Sequence, residues 1–326
     1  WRAGPVSDMV AMAMQGPESN TPAGVTLAHI SDPHLPLPVT VPLRELLNKR
    51  LLGLLSWRTK RHRRHRPEIL ARLIADMQAH APDLVMVSGD LTNLGLDSEY
   101  RAARHWLDAL GDPARVMTIP GNHEALVTGS WDKGAAQWQP YWQGDAAPEN
   151  ADVTCAFPVL RRRGALALIG VSSAVVSPLG FAVGEVGAAQ RDRLTVLLRQ
   201  TREEGLFRLM MIHHPPLLGT VSPRKHLRDH VEFCALLERE GVEMVLHGHS
   251  HRSHHQSLPT RDGPAPVIGV PSASSMHHEP AAYNLYRITQ SADGWEVELS
   301  ARHVGADQRM ETGRCATMAI ARGHAG

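Results

Sequence analysis

The sequence predicts an α/β fold built on a largely parallel central sheet. Three observations lead there: five short apolar runs that stop abruptly in polar residues, helical patterns of ordinary length between them, and a change to short alternating runs after about residue 252. At 326 residues the chain can bury most of its apolar surface. No repeat or linker divides it, so residues 25–326 are expected to form a single domain, preceded by a leader or tail over 1–24.

The first 24 residues, "WRAGPVSDMVAMAMQGPESNTPAG", hold no apolar run of the length a secretory signal needs. They are read as a processed or expression-derived leader, with Met9, Met12 or Met14 as the natural start. The runs follow: "VTLAHISDPH" (25–34), "LVMVSGD" (84–90), "RVMTIPGNHE" (115–124), "RLMMIHHPP" (208–216) and "VEMVLHGHSH" (242–251). Each is rich in residues drawn from Val, Ile, Leu and Met and is bounded by Gly or Pro, the pattern of a buried strand. Between them, "PEILARLIADMQAH" (67–80) starts with Pro and keeps apolar residues at 69, 70, 73, 74 and 77, one face of a helix. "DSEYRAARHWLDAL" (97–110) has a capping-type start and stops at Gly111. "AAQRDRLTVLLRQTREEG" (188–205) and "LRDHVEFCALLEREG" (227–241) also stop at Gly. The late runs "APVIGV", "AAYNLYRIT" and "GWEVELSARHV" read as antiparallel strands completing the sheet, and the C-terminal "ATMAIARGHAG" is left unassigned.

Charged residues make up 21% and apolar ones 43%, and the formal net charge of +1 argues against a protein that coats nucleic acid. Cys155, Cys234 and Cys315 are far apart and form no C-x-x-C pair, which indicates neither a disulfide scaffold nor a thiolate metal site and points to a reducing, cytoplasmic setting. No stretch approaches the roughly 20 consecutive apolar residues of a membrane span. Histidine is the outlier, with 20 copies beside only four Phe and four Tyr.

In an α/β sheet, ligands collect beyond the carboxyl ends of strands. The five strand ends supply Asp32 and His34, Asp90, Asn122 and His123, His213, and His249 and His251. Oxygen donors mixed with imidazoles suit a divalent transition ion such as Mn, Fe, Zn, Co or Ni rather than an all-oxygen calcium site. Eight candidate donors are too many for one ion. One carboxylate shared by two ions fits the inventory and gives the two-metal arrangement, with ions about 3.5–4 Å apart, used to displace phosphoryl oxygens. Taken singly, each block also fits an ordinary turn; five of them at five strand ends do not arise easily by chance.

These blocks resemble those of the calcineurin-like metallophosphoesterases, which run D-x-H, G-D, G-N-H-D/E, H and G-H-x-H. Here they stand as "DPH" (32–34), "GD" (89–90), "GNHE" (121–124), "HHPP" (213–216) and "GHSH" (248–251). The resemblance covers roughly residues 25–255. It implies a four-layer α-β-β-α sandwich with two mixed central sheets and the metal site at strand carboxyl ends. It further implies that Asp32, His34 and His251 hold one ion and Asn122, His213 and His249 the other, with Asp90 bridging. His213 is preferred to His214 because the family's ligand precedes one residue and then Pro. His123, positioned by Glu124 or a nearby carboxylate, would meet the phosphoryl oxygen or the leaving group. Many relatives carry Asp where this chain has Asn93, which removes a carboxylate near the ions and leaves the ligand count intact. His29, His214, His247, His254 and His255 are read as packing or ligand-orienting groups, and His277 and His278 as either structural or substrate-facing.

The expected activity is metal-dependent hydrolysis of small phosphodiesters by a metal-bridging hydroxide attacking phosphorus in line, with no covalent enzyme intermediate. The cofactors are two divalent ions, Mn, Fe, Zn or Co. The most individual segment is a helical insertion at about 38–66. Its "LRELLNKRLLGLLSWRTKRHRRHR" (43–66) is expected to place Leu43, Leu46, Leu47, Leu51, Leu54 and Leu55 on one helix face, with nine Lys and Arg against one Glu and with Trp57 beside them. Such a helix serves as a lid or homo-oligomer contact with its basic run either solvated or steering a phosphate-bearing substrate, as an anchor on an anionic membrane surface, or, least favoured, as a nucleic-acid contact. The membrane case carries an alternative function: a peripheral pyrophosphatase or phosphodiesterase on the inner membrane face, acting on a nucleotide-lipid or other lipid-linked substrate. A non-enzymatic scaffold that kept the fold is the third alternative, and the complete ligand set argues against it.

Overall fold

A strand whose two faces are both covered is apolar at nearly every position, and "LVMV" (84–87) and "FRLMMI" (207–212), whose one charged residue Arg208 is paired with Glu243, are buried throughout. The computed structural model describes residues 24–146 and 156–323. The expected leader over 1–24, except for Gly24, and Cys155 lie outside the described residues.

The strands are β1 (Val25–Ile30), β2 (Leu84–Val87), β3 (Val116–Thr118), β4 (Val159–Arg163), β5 (Leu166–Val171), β6 (Phe207–Ile212), β7 (Met244–His247), β8 (His254–Thr260), β9 (Gly263–Gly269), β10 (Ala282–Ser291), β11 (Gly294–Val304) and β12 (Met310–Ala321). The α-helices are α1 (Arg50–Ser56), α2 (His62–Arg64), α3 (Pro67–Ala79), α4 (Asp97–Leu110), α5 (Ser130–Trp142), α6 (Ala188–Glu203) and α7 (His230–Glu240). Two mixed six-stranded sheets result, ordered β12-β11-β10-β1-β2-β3 and β4-β5-β6-β7-β9-β8. β1, β2 and β3 run parallel in the first, and β5, β6, β7 and β9 in the second. Antiparallel strands complete both edges of the second sheet and one side of the first.

The alternation of side chains along each strand builds the layers. On β6, Leu209 and Met211 enter the core shared with Leu27, Met86 and Met117 of the first sheet. Met210 and Ile212 face the other way, onto Leu194 and Leu198 of α6 and Phe233 and Leu237 of α7. α3 packs on β10, β11 and β12, and α5 against β3 and α4. The order is therefore helix, sheet, sheet, helix, the α-β-β-α sandwich expected from the resemblance.

Several features differ from the sequence reading. β4, β5 and β8 were not expected, and most of "APVIGV" lies in β9, which runs parallel to β7. The first six residues of the unassigned C-terminal stretch, 316–321, form the second half of β12, an edge strand largely exposed to solvent, so it lacks the apolar run of a buried strand. α5 was not expected because Gly134 and Pro140 sit inside it; Gly134 is required because the Tyr100 ring lies against its Cα. The insertion is not one helix with a single leucine face. A 3-10 turn (Leu43–Leu46) is followed by a break at Asn48, whose Oδ1 accepts the Arg50 N–H at 2.9 Å and starts α1 afresh, and a π turn (Trp57–Arg61) joins α1 to α2. Leu46 and Leu54 consequently pack on Leu94 and Leu96, whereas Leu43, Leu47, Leu51 and Leu55 are exposed. Trp57 is buried and stacked on His65, with ring centroids 6.2 Å apart, and does not lie at a surface.

Candidate metal centre

Parallel strands present their carboxyl ends on one side of the fold, and three ends from the first sheet meet two from the second. β1 delivers Asp32 and His34, β2 Asp90, β3 Asn122 and His123, β6 His213, and β7 His249 and His251. Among the described residues, seven non-glycine positions have left-handed backbone, and five of them are Asp32, His34, Asp90, His249 and His251. Each such position costs about 1–3 kcal/mol and persists where the surroundings over-determine it, typically at functional sites. The turns also come unusually close. A side chain at Gly121 would collide with Asp90, and one at Gly248 with Ser31 and Asp32, which explains the glycine in each of these blocks.

Donor atoms of Asp32, His34 and His251 lie within 4.8 Å of one another, and so do those of His34, Asp90 and His123 and those of Asp90, His213 and His249. The groups are linked through His34 and Asp90. Asp90 Oδ2 is 3.8 Å from His34 Nε2 and 3.4 Å from His213 Nε2, while Asp32 Oδ1 is 3.1 Å from His251 Nε2. Asn122 Oδ1 stands 3.3 Å from His213 Nε2. The second nitrogen of each central imidazole is committed elsewhere. His34 Nδ1 faces Thr92 O at 3.2 Å, His213 Nδ1 faces Ser88 O at 2.7 Å and His249 Nε2 faces Lys225 O at 3.0 Å, which turns the other nitrogen of each ring toward the cluster. The carboxylates are oriented too: the Ser31 hydroxyl (2.6 Å) and the His249 N–H (2.9 Å) donate to Asp32 Oδ2, and the His123 N–H donates to Asp90 Oδ1 at 2.9 Å.

Electrostatics follow from this crowding. Burial pushes the Asp32 and Asp90 carboxyls up, but imidazoles outweigh it, His251 at Asp32 and His213 at Asp90, and hold both below the usual range. At His213, burial favours the neutral ring but Asp90 overrides it and raises the group to about 9. Burial, reinforced by neighbouring histidines, lowers His34 and His249 well below the ordinary value. Two carboxylates pulling on a set of largely neutral imidazoles is the donor chemistry of a divalent cation site.

His123 is held differently from expectation. Its Nδ1 donates to Asn93 O at 2.6 Å, so a backbone carbonyl fixes the ring and Nε2 is left toward the cleft. Glu124 does not touch it. That carboxylate is fully buried and accepts the N–H groups of Asp90 (2.9 Å), Thr92 (2.8 Å) and Gly121 (2.7 Å), tying the β2 and β3 turns together. Burial first, then Asp90, raises it to about 7. The Asn93 side chain donates to Leu35 O at 2.7 Å, away from the cluster.

The cluster opens into a cleft of about 310 Å³. Its walls include His277 and His278 from the serine-rich loop, together with Lys60, Arg61, Arg64 and His65 of the insertion, and Lys225. The sequence singled out the basic run of the insertion, but no spacing rule linked residues 60–65 to the strand ends, and Lys225 was not singled out. Of the remaining histidines, His214 bonds Ser173 Oγ at 2.7 Å and packs on His249, and His29 bonds Ser88 Oγ at 2.9 Å. Neither belongs to the donor groups, and His247, His254 and His255 lie on β7 and β8 outside them.

The family model of the calcineurin-like phosphoesterases matches residues 25–253, which include every one of these donors. The chain belongs to this family. It is a metal-dependent phosphoesterase, and a binuclear metal site is typical of its relatives. A probable cyclic nucleotide phosphodiesterase of Synechococcus sp. is 24% identical over 214 residues, 64% of this chain and 72% of that protein. The glycerophosphodiester phosphodiesterase GpdQ of Enterobacter lignolyticus is 51% identical over 43 residues, 13% of this chain and 15% of that protein. In fold, the chain is similar to a dimetal phosphatase from Danio rerio, with a TM-score of 0.54 and 13% identity over 89% of this chain and 98% of that one. It is also similar to the purple acid phosphatase PPD1 of yellow lupin, with a TM-score of 0.57 and 13% identity over 91% of this chain and 54% of that one.

Proposed function

We propose that the chain is a phosphodiesterase for small phosphodiesters. The observation that carries the reading is Asp90 Oδ2 standing between His34 Nε2 and His213 Nε2, one carboxylate oxygen common to two donor groups. In this reading Asp32, His34 and His251 hold one divalent ion, Asn122, His213 and His249 the other, and Asp90 contributes to both. When bound, such ions supply an acidified hydrolytic water and neutralise phosphoryl charge. Mn, Fe, Zn and Co all suit the donor set. The preference for diesters is supported by the names of both curated relatives and by a cleft sized for a small molecule.

His123 is assigned the leaving-group side. Burial, with Arg61 next in weight, lowers it to about 4, so the ring rests neutral at pH 7 with Nδ1–H on Asn93 O and a lone pair on Nε2. A phosphoryl anion beside it favours the imidazolium, whose Nε2–H then donates to the departing oxygen. Purified protein assayed with Mn²⁺ on bis(p-nitrophenyl) phosphate and on p-nitrophenyl phosphate tests the reading. Preferred turnover of the diester supports it, and a preference for the monoester contradicts it.

A second reading is favoured by one feature. Leu43, Leu47, Leu51, Leu52 and Leu55 are exposed on the insertion that walls the cleft, so a membrane surface and a lipid-linked diester suit this face. Among the described residues no helix is long and apolar enough to cross a membrane, which restricts this reading to peripheral contact. Flotation with anionic vesicles decides it: binding that is lost in a Leu43→Ser, Leu47→Ser, Leu51→Ser variant supports it, and no binding rejects it.

A further inference from the structure

The basic run of the insertion is not a uniformly solvated face. Arg58 and Arg63 are exposed and do not line the cleft, but Lys60, Arg61 and Arg64 do, and Lys225 joins them from the loop before α7. Asp90 is the only acidic residue among those lining the cleft, and it faces the donor groups. No described carboxylate pairs with any of these four cations; the ion pairs of the site run from histidines to Asp32 and Asp90.

Arg61 shows the point most clearly. Its Nη2 lies 3.1 and 3.3 Å from the two ring nitrogens of His34, one of which already faces Thr92 O. The other, Nε2, is turned to the donor cluster, so His34 offers no lone pair of its own to the five guanidinium N–H donors. Arg50, on the same insertion, is the contrast. It pairs with Glu45 at 2.6 Å and donates to Leu94 O at 2.9 Å and Gly95 O at 2.6 Å, a structural arginine with its donors in use.

The wall carrying these cations is anchored. Trp57 stacks on His65, His65 Nδ1 meets Ser274 Oγ at 2.9 Å, the Arg66 N–H donates to Ser274 O at 2.9 Å, and Lys49 Nζ donates to Ser177 O at 2.7 Å. Lys60, Arg61 and Arg64 on this anchored wall and Lys225 on the separate loop before α7 form no described ion pair, although Arg61 feels Asp90, Glu99 and Asp32 through the cleft, and together they favour an anion from outside. The scissile phosphodiester carries a single charge and is met by the strand-end centre, so it does not account for them.

We propose that Lys60, Arg61, Arg64 and Lys225 form a subsite for a second phosphoryl group, and that the substrate is a phosphodiester bearing an additional phosphate. This rests on the phosphodiesterase reading above. It distinguishes a phosphorylated diester from one whose remaining groups are neutral.

The test compares two chromogenic diesters that differ by one phosphate: thymidine 3′-(p-nitrophenyl phosphate) with and without a 5′-phosphate, on the metal-loaded full chain. Where charge-assisted contacts hold the added group, kcat/KM is expected to be about tenfold higher for the phosphorylated diester. In Arg64→Gln and in Lys60→Ala with Arg64→Gln, the ratio between the two substrates should fall toward one. Calorimetry on the same proteins gives a readout independent of turnover: thymidine 3′,5′-bisphosphate should bind about tenfold more tightly than thymidine 3′-phosphate, and the difference should shrink in the variants. Hydrolysis of both diesters with equal kcat/KM overturns the subsite and leaves the phosphodiesterase reading standing. A binding difference without turnover of either diester sinks the phosphodiesterase reading while retaining the anion subsite. Equal binding of the two nucleotides overturns the subsite whatever the turnover.

Discussion

At the scale of single residues, Asp90 and His213 define how the centre responds to pH. Asp90 raises the His213 imidazole to about 9, so the ring carries a proton at neutral pH that a metal ion must displace. The sign follows directly: loading releases protons, and apparent metal affinity rises with pH up to about 9 and falls on acidification. Metal titration by calorimetry at pH 6 and pH 8 should show weaker binding at the lower pH, with proton release seen as a dependence on buffer ionisation enthalpy. An affinity independent of pH would contradict the role given to His213. His123→Asn should lower kcat by about 10²–10⁴-fold with metal content unchanged, as expected for a proton donor, whereas loss of metal would make His123, which lies beside His34 and Asp90, a ligand instead. The strand-end donors were legible in the sequence because each sits at an abrupt apolar-to-polar transition. The partners that orient them were not. Ser88, Thr92, Asn93 and Lys225 act through backbone carbonyls, and a carbonyl leaves no trace in residue identity.

At the scale of elements, the opposite ends of the same strands carry stability. Arg208 on β6 is fully buried and grips both oxygens of Glu243, before β7, at 2.8 and 2.7 Å, with Asp262 at 3.0 Å. Removing one partner of such a pair leaves an uncompensated buried charge, so Glu243→Ala should cost about 3–5 kcal/mol in chemical denaturation. Activity per folded molecule should be unchanged, because Glu243 lies at the amino end of β7 and the donors at its carboxyl end. Loss of activity without loss of stability would contradict this division. Glu240 ties α7 to α6 through both carboxylate oxygens, each 2.8 Å from Arg199. Arg199, aided by Arg239 against burial, lowers the carboxyl to about 2. A depressed carboxylate stabilises the fold above its ordinary range near 4.5 and loses that contribution as pH falls toward 2. Glu240→Gln should therefore flatten the acid-induced loss of stability in that window. α3, α4 and α6 were readable because their periodicity and stops agree with their packing. The insertion was not, because its leucine spacing fits one helix while Asn48 breaks it into pieces that bury only Leu46 and Leu54.

At the scale of the whole molecule, two sheets meet so that β1, β2 and β3 of one and β6 and β7 of the other aim their carboxyl ends at a common point. The α/β class was visible in the alternation of runs and helices. The division into two sheets came only through resemblance, since a strand buried on both faces looks the same whichever sheet it joins. The cationic wall became evident only once the chain path brought residues 60–65 beside residues 272–278. The central claim is that Asp90 stands between two ions, and anomalous diffraction from crystals loaded with Mn²⁺ measures it most directly. Two peaks about 3.5–4 Å apart are predicted, one among Asp32, His34 and His251, the other among Asn122, His213 and His249, with Asp90 reaching both. A single peak, or two peaks with Asp90 bound to neither or to only one, would contradict the account.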